Sequence, residues 1–235
     1  MKKLLIILCV AVMVIAAGVT AYVLIGNALI KKSVNHFTVH SPVTIESYTK
    51  GSTVKAQYLA ASGMEDDAVQ AKLNELLYDF CVGQFASLDD ADPTVYNGIV
   101  ESANHVGDLL SVTRIMTSSG PGRAAFDQRS EYSAMTLQLT DGEYFTFPLT
   151  AAQLKQAVSE GKFTQVQPLD PIEGALEQLA ASLNEEHIPP YYLTETGVGL
   201  YINNVGALEN EYAVFAAPYE NLPAFEIPGK QYQAP

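Results

Sequence analysis

PYYLTETGVGLYINN, Pro190 to Asn204, is the stretch whose reading decides the fold. Tyr192 and Thr194 alternate with Tyr191 and Leu193, and Val198, Leu200 and Ile202 alternate with Gly199 and Tyr201. Alternation of period two on both sides of Glu195-Thr196-Gly197 predicts an antiparallel hairpin. Gly197 is placed to take the left-handed position of a three-residue loop.

Beyond the hairpin, Tyr212 to Ala216 predicts one more strand, followed by a proline-spaced tail from Pro218 to Pro235. Before it, Leu176, Leu179, Ala180 and Leu183 form the apolar face of a helix from Pro171 to about Glu185, with the proline in the first turn, where it is tolerated. TAAQLKQAVSEG, Thr150 to Gly161, predicts a second helix, with Thr150 as N-cap, Ala152, Leu154, Ala157 and Val158 on its stripe, and Gly161 as the stop. Asp141-Gly142 marks a turn before a short strand, Tyr144 to Phe147. DLLSVTRIMT (108–117) and SEYSAMTLQL (130–139) read as strands joined by the glycine- and proline-bearing loop SSGPGRAAFDQ, 118–128. Between Glu65 and Leu88, Val69, Leu73, Leu76, Leu77, Phe80 and Phe85 recur at helical spacing. Glu65, Asp66 and Asp67 complement the dipole in the first turn, and the stripe places Cys81 near the core. TVKAQYLA, Thr53 to Ala60, predicts a first strand. Strands and helices in mixed order with antiparallel hairpins predict an α+β fold.

The N-terminal segment sets the location. Leu4 to Ile30 holds no charged residue and exceeds the roughly 20 apolar residues that cross a bilayer. A cleaved signal peptide has an apolar region of only about 7–15 residues. The segment therefore reads as a retained signal anchor, 1–32, crossing the membrane through residues 4–30. Cleavage after Ala21 is the competing reading, from the small residues Ala16, Ala17, Gly18 and Ala21. A short basic N-terminus before a long apolar run is the ordinary export arrangement. The expected topology is thus single-pass in the cell membrane, with a spacer at 33–41 and two small, packed α+β domains with antiparallel sheets outside it, 42–128 and 129–222, ending in a tail, 223–235.

Charge narrows the partners. The net charge is −13, and the part beyond Lys32 holds nine basic residues against all 26 acidic ones. That balance excludes a nucleic-acid footprint and a polybasic contact with anionic lipid. It suits solubility, and it suits a cationic partner. Cys81 is the lone cysteine beyond the anchor, so no disulfide or cysteine-based zinc ribbon is expected there. His36, His40, His105 and His187 are scattered and predict no metal centre. There is no GxSxG elbow, no Ser-x-x-Lys and no Walker lysine beside Gly120-Pro121-Gly122. No catalytic residue, metal or cofactor is therefore assigned. Candidate ligand-binding residues are Arg123 and Phe126 in the 118–128 loop, Tyr191 and Tyr201 in the hairpin, and Glu209 and Glu211 before the last strand. The competing reading is solvated surface for the charged ones and buried sheet face for the tyrosines.

PYYLTETGVGLYINN followed by EYAVFAAPYENL resembles the extracytoplasmic domain family of the anti-sigma-V factor, a lysozyme-sensing receptor. In that family a hairpin of the form F-Y-L-T-x-x-G-L-x-x-Y-F-N precedes a final strand ending in Pro-Tyr-x-x-Leu. Pro218-Tyr219 with Leu222 matches that ending, and Asp141-Gly142 to Leu154 is similar to the segment leading into the family's central helix. VQAKLNELLYDF, Val69 to Phe80, resembles the helix of the preceding paired domain, which is also found beside peptidoglycan deacetylases. The resemblance covers about 140–222, and more weakly 42–117. It implies a non-enzymatic binding or sensing module at the cell surface whose ligand is a cationic protein such as lysozyme or a peptidoglycan fragment. The alternative is a peptidoglycan-acting enzyme of the envelope or its accessory.

Overall fold

In the computed structural model, residues 43–230 are described, apart from 90, 92, 121–127, 185–190 and 207–210. The expected anchor and spacer lie outside the described residues.

Two sheets make the fold. In sheet A the order is β1 (Val43–Lys50), β2 (Val54–Ala61), β3 (Val95–Val106), β4 (Leu109–Ser119) and β5 (Arg129–Gln138). All neighbours pair antiparallel except β2 and β3, which run parallel. A parallel pair needs a crossover, and helix α1 (Asp67–Tyr78) supplies it. Asp66 caps α1 by accepting from the Ala68 and Val69 N–H groups at 2.8 and 3.1 Å. The helical run continues through a π turn, Asp79–Gly83, and a last α turn, Gln84–Ala86. The added residue per turn keeps Leu73, Leu77, Cys81, Val82 and Phe85 all buried, so the long apolar stripe read from the sequence packs on β2 despite the change of pitch.

Sheet B has the order β6 (Thr164–Gln167), β9 (Glu211–Pro218), β8 (Gly197–Val205) and β7 (Tyr191–Leu193), antiparallel throughout. Its two faces diverge by register. Tyr191, Leu200 and Phe215 stand in one cross-strand row, Leu193, Val198 and Ala217 in the next, and both join the core formed with α2 (Ala151–Ser159) and α3 (Ala175–Ser182). Leu154, Ala157, Val158 and Leu179 are the helices' share of it. α2 begins with a capping box in which the Thr150 hydroxyl accepts from the Gln153 N–H and the Gln153 side chain accepts from the Thr150 N–H. The opposite face of sheet B carries Tyr192, Tyr201 and Val214, which pack on Tyr132 of β5.

Each sheet's edge strand is held by side chains of the other sheet. The Leu193 N–H donates to the buried Ser111 hydroxyl at 2.8 Å. The Tyr132 N–H donates to Asn203 Oδ1 at 2.8 Å, while Asn203 Nδ2 donates to the Tyr132 carbonyl at 2.9 Å. The Ala134 N–H donates to the Tyr201 hydroxyl at 3.2 Å. Asn203 is aimed by a bulge in β8, where Asn204 is the extra residue and takes a left-handed φ of 60°, a conformation asparagine tolerates.

Several expectations change. The division expected at 128/129 falls between two paired strands, because β5 joins β4 over ten register positions and belongs to sheet A. The helix expected from Pro171 begins at Ala175, after Gly174 in a left-handed conformation. Tyr144 to Phe147 makes only one bridge, Tyr144 to Leu137, with the Phe145 N–H donating to the Thr136 carbonyl at 2.9 Å. Gly197 is not left-handed. It opens β8 opposite Pro218, and a Cβ there would stand 2.3 Å from the Ala217 carbonyl oxygen. The hairpin turn is organised instead by Thr194, whose hydroxyl accepts from the Gly197 N–H at 3.0 Å. The expected tail is partly packed, since Leu222 and Ile227 are buried and the Pro228 carbonyl accepts from the Asp108 N–H at 2.8 Å.

Candidate ligand-binding groove

β5 is an outer strand of sheet A, and beside it runs an open cavity of about 680 Å³. Asp79, Phe80 and Gln84 form one wall, from the end of the helical run. Ala134, Met135 and Thr136 of β5, Tyr144 to Thr146, Tyr191 and Tyr201 line the rest of it. Arg114 of β4 completes the lining. It pairs in register with Ser133, a residue short enough to let the long side chain lie toward the edge of β5.

The Arg114 guanidinium carbon lies 4.8 Å from the centre of the Phe80 ring, a cation–π contact. Nη2 donates to Gln84 Oε1 at 3.3 Å. Nε and Nη1 are buried with no hydrogen-bond partner among the described residues. Burial pulls the pKa of Arg114 down, against Cys81, Glu131, Tyr201 and Asp79, whose electrostatics raise it. An arginine stays charged through such a shift. The groove therefore presents a cation whose donors exceed its acceptors.

Behind this wall lies a polar aromatic seam. The Tyr132 ring stands 6.1, 5.1 and 5.3 Å from the rings of Tyr192, Tyr201 and Tyr212. Glu101 enters on a bulge of β3, the register shift between Val100 and Ser102. It accepts from the Thr113 hydroxyl at 3.3 Å and from Gln167 Nε2. Burial first, and the Glu101 charge second, push Tyr192 and Tyr212 each up to about 12, and burial pushes Tyr132 further still. These groups are acids held neutral. The unfolded chain loses their protons near 10, so stability is complete below that pH and falls as pH rises from 10 to about 12. For the buried Tyr192 the loss is about 1.4 kcal/mol per pH unit. Beyond the ionisation of solvent-exposed tyrosines, a final step of tyrosinate absorbance is expected to rise together with loss of circular dichroism. Ionisation of every tyrosine with the fold intact would refute the seam's burial.

The residues singled out in the sequence fall in different places. Tyr191 and Tyr201 line the groove. Tyr191 is 8% exposed, stacks on Phe147 at 4.6 Å and donates its hydroxyl to the Phe145 carbonyl. Glu211 is exposed at the start of β9 and is not among the residues that line the groove. Arg123, Phe126 and Glu209 lie outside the described residues. Arg114, Phe80, Asp79 and Gln84 were not singled out. The signal for Arg114 was present: it stands between Val112 and Met116 on one face of β4, an apolar row interrupted by a cation. Among the described residues no three His, Cys, Asp or Glu side chains come together as metal ligands, and no helix is long and apolar enough to cross a membrane.

The class so defined is an α+β, two-sheet domain with a groove along an edge strand. No family model matches the chain, and no curated protein does. Among solved structures it is similar to a DUF3298 family protein from Bacteroides fragilis NCTC 9343, at 14% identity and a TM-score of 0.42 over 77% of this chain and 92% of that one. It is also similar to a DUF3298 family protein from Pseudomonas aeruginosa PAO1, at 10% identity and a TM-score of 0.45, with the same coverage of 77% and 92%.

Proposed function

We propose that this protein is a membrane-anchored extracytoplasmic binding module of the cell envelope, with a peptidoglycan fragment as its ligand. The observation that carries the reading is the groove beside β5, where aromatic side chains and an under-partnered arginine converge. Rigid elements that present a few convergent polar groups in an apolar cleft are the usual form of a small-ligand site. Its chemistry favours binding over catalysis. The nearby Cys81 is buried and its thiol is pushed up to about 11, so it is no thiolate nucleophile at neutral pH. The apolar run Leu4 to Ile30 supports the anchor. A second reading, a cationic protein such as lysozyme as the ligand, is favoured by the excess of acidic residues beyond Lys32.

The test is a titration of the full chain in detergent with soluble peptidoglycan fragments and with lysozyme, at low and high salt. Saturable binding of the fragments supports the reading. Binding of lysozyme alone, lost at high salt, moves the ligand to the cationic protein. Binding of neither overturns the module.

A further inference from the structure

We infer that Arg114 anchors this groove to a free carboxylate carried by a small peptide-like acid, an inference that deepens the binding-module reading and rests on it. Arginine brings five N–H donors in a planar fork. Here the recorded acceptor is the Gln84 carbonyl at 3.3 Å, and Nε and Nη1 have none among the described residues. No ion pair joins Arg114 to a carboxylate among the described residues. Donors sealed from water without an acceptor oppose folding, and Arg114 sits in a row of β4 where an aliphatic residue would pack without that penalty.

The charge balance selects the anion. Arg114 is the one cation among the residues lining the groove, and Asp79 stands in the same lining. A single guanidinium beside one carboxylate suits a monoanion, whose two oxygens match the fork. A phosphate dianion would meet one cation with an aspartate opposing it. The walls select what carries the carboxylate. Phe80, Phe145 and Tyr201 are apolar surfaces, and Tyr144, 59% exposed, stands as a ring at the groove's mouth. The volume of about 680 Å³ lies in the ordinary range for small-molecule sites, and a short peptide or acylated amino acid fills it.

Gln84 makes entry simple. Its side chain is exposed and bridges Arg114 and Met116 Sδ, the latter at 2.6 Å. Turning it outward frees Nη2. An incoming carboxylate then takes the place of the Gln84 oxygen and offers its second oxygen to a neighbouring guanidinium nitrogen.

The experiment uses the full chain in detergent and three probes: N-acetylphenylalanine, its uncharged carboxamide, and inorganic phosphate, followed by calorimetry and by chemical-shift change. The acid is expected to bind at least about tenfold more tightly than the amide, because the amide lacks the charge-assisted pair. Arg114→Gln is expected to remove that preference. Arg114→Lys keeps the charge without the fork and is expected to fall between the two. Gln84→Ala is expected to bind the acid as well as or better than the parent chain, which a merely structural contact would not produce. Equal binding of acid and amide, or phosphate binding as tightly as the acid, overturns the inference. Since those comparisons are made on the unaltered protein, they stand even if an Arg114 variant fails to fold. Peptidoglycan fragments that bind the parent and Arg114→Gln alike would leave the module reading intact and sink this one; a parent chain that binds neither the fragments nor lysozyme sinks the module itself.

Discussion

Tyr132→Ala is expected to lower the stability of the folded chain by about 3–5 kcal/mol, the usual loss for truncating a buried aromatic side chain. Tyr132 is 2% exposed and is the centre of the contact between the sheets, with three tyrosine rings of sheet B around it. Its removal opens a cavity lined on one side by β4 and β5 and on the other by β8 and β9, neither of which can collapse without breaking a ladder. Tyr132→Phe keeps the ring and removes a hydroxyl that bonds with Thr113 and Glu101. That change is expected to cost about 1–3 kcal/mol, since a buried partner is left short of one hydrogen bond. Urea unfolding followed by circular dichroism measures both. A Tyr132→Ala midpoint within error of the parent would mean that the seam contributes little and that the sheets are stable separately.

Gly199→Ala is the second large effect, and its cause is steric. Gly199 pairs with Tyr192 across β7 and β8, and a Cβ built on it would lie 1.9 Å from one ring carbon and 2.0 Å from another. The ring has no free space to move into, being 9% exposed and packed against Tyr132. Overpacking of this kind costs about 1–3 kcal/mol, and with a planar ring lying flat over the backbone the upper end is expected. The cause is separable by a second change. In a Tyr192→Ala background the same Gly199→Ala substitution should cost less than about 1 kcal/mol, a coupling that marks direct contact. Equal penalties in both backgrounds would show that the glycine serves the backbone and not the ring.

The hairpin, the long stripe of α1 and the Thr150 cap were legible because each is written in local chemistry: alternation, helical spacing, a hydroxyl three residues before a glutamine. β3 was not, because its alternation breaks at the Glu101 bulge and it holds Asn97, Gly98 and Asn104, residues that strands disfavour. β6 was not, because TQVQ is four residues long and itself bulged against β9. The groove was legible only through Tyr191 and Tyr201. Its other parts come from the end of α1, from β4 and β5, and from the segment around Tyr144, and nothing in a linear pattern says that these meet. Gly197 shows the same limit on a smaller scale. Its presence in the turn suggests a need for positive φ, whereas the structure uses its missing Cβ to admit a neighbouring carbonyl.

The Asn203 carboxamide gives and takes one hydrogen bond with Tyr132, as a residue of an adjoining strand would. An outer strand with open backbone groups is a template on which a second copy of a chain can grow into a fibre. Proteins commonly guard such edges with lysine or proline. Here Asn203 acts as a counterfeit strand at Tyr132, the Tyr201 hydroxyl accepts from the Ala134 N–H and the Phe145 N–H donates to the Thr136 carbonyl, so β5 meets partners that cannot themselves be extended, and its edge is covered by groups that carry no charge.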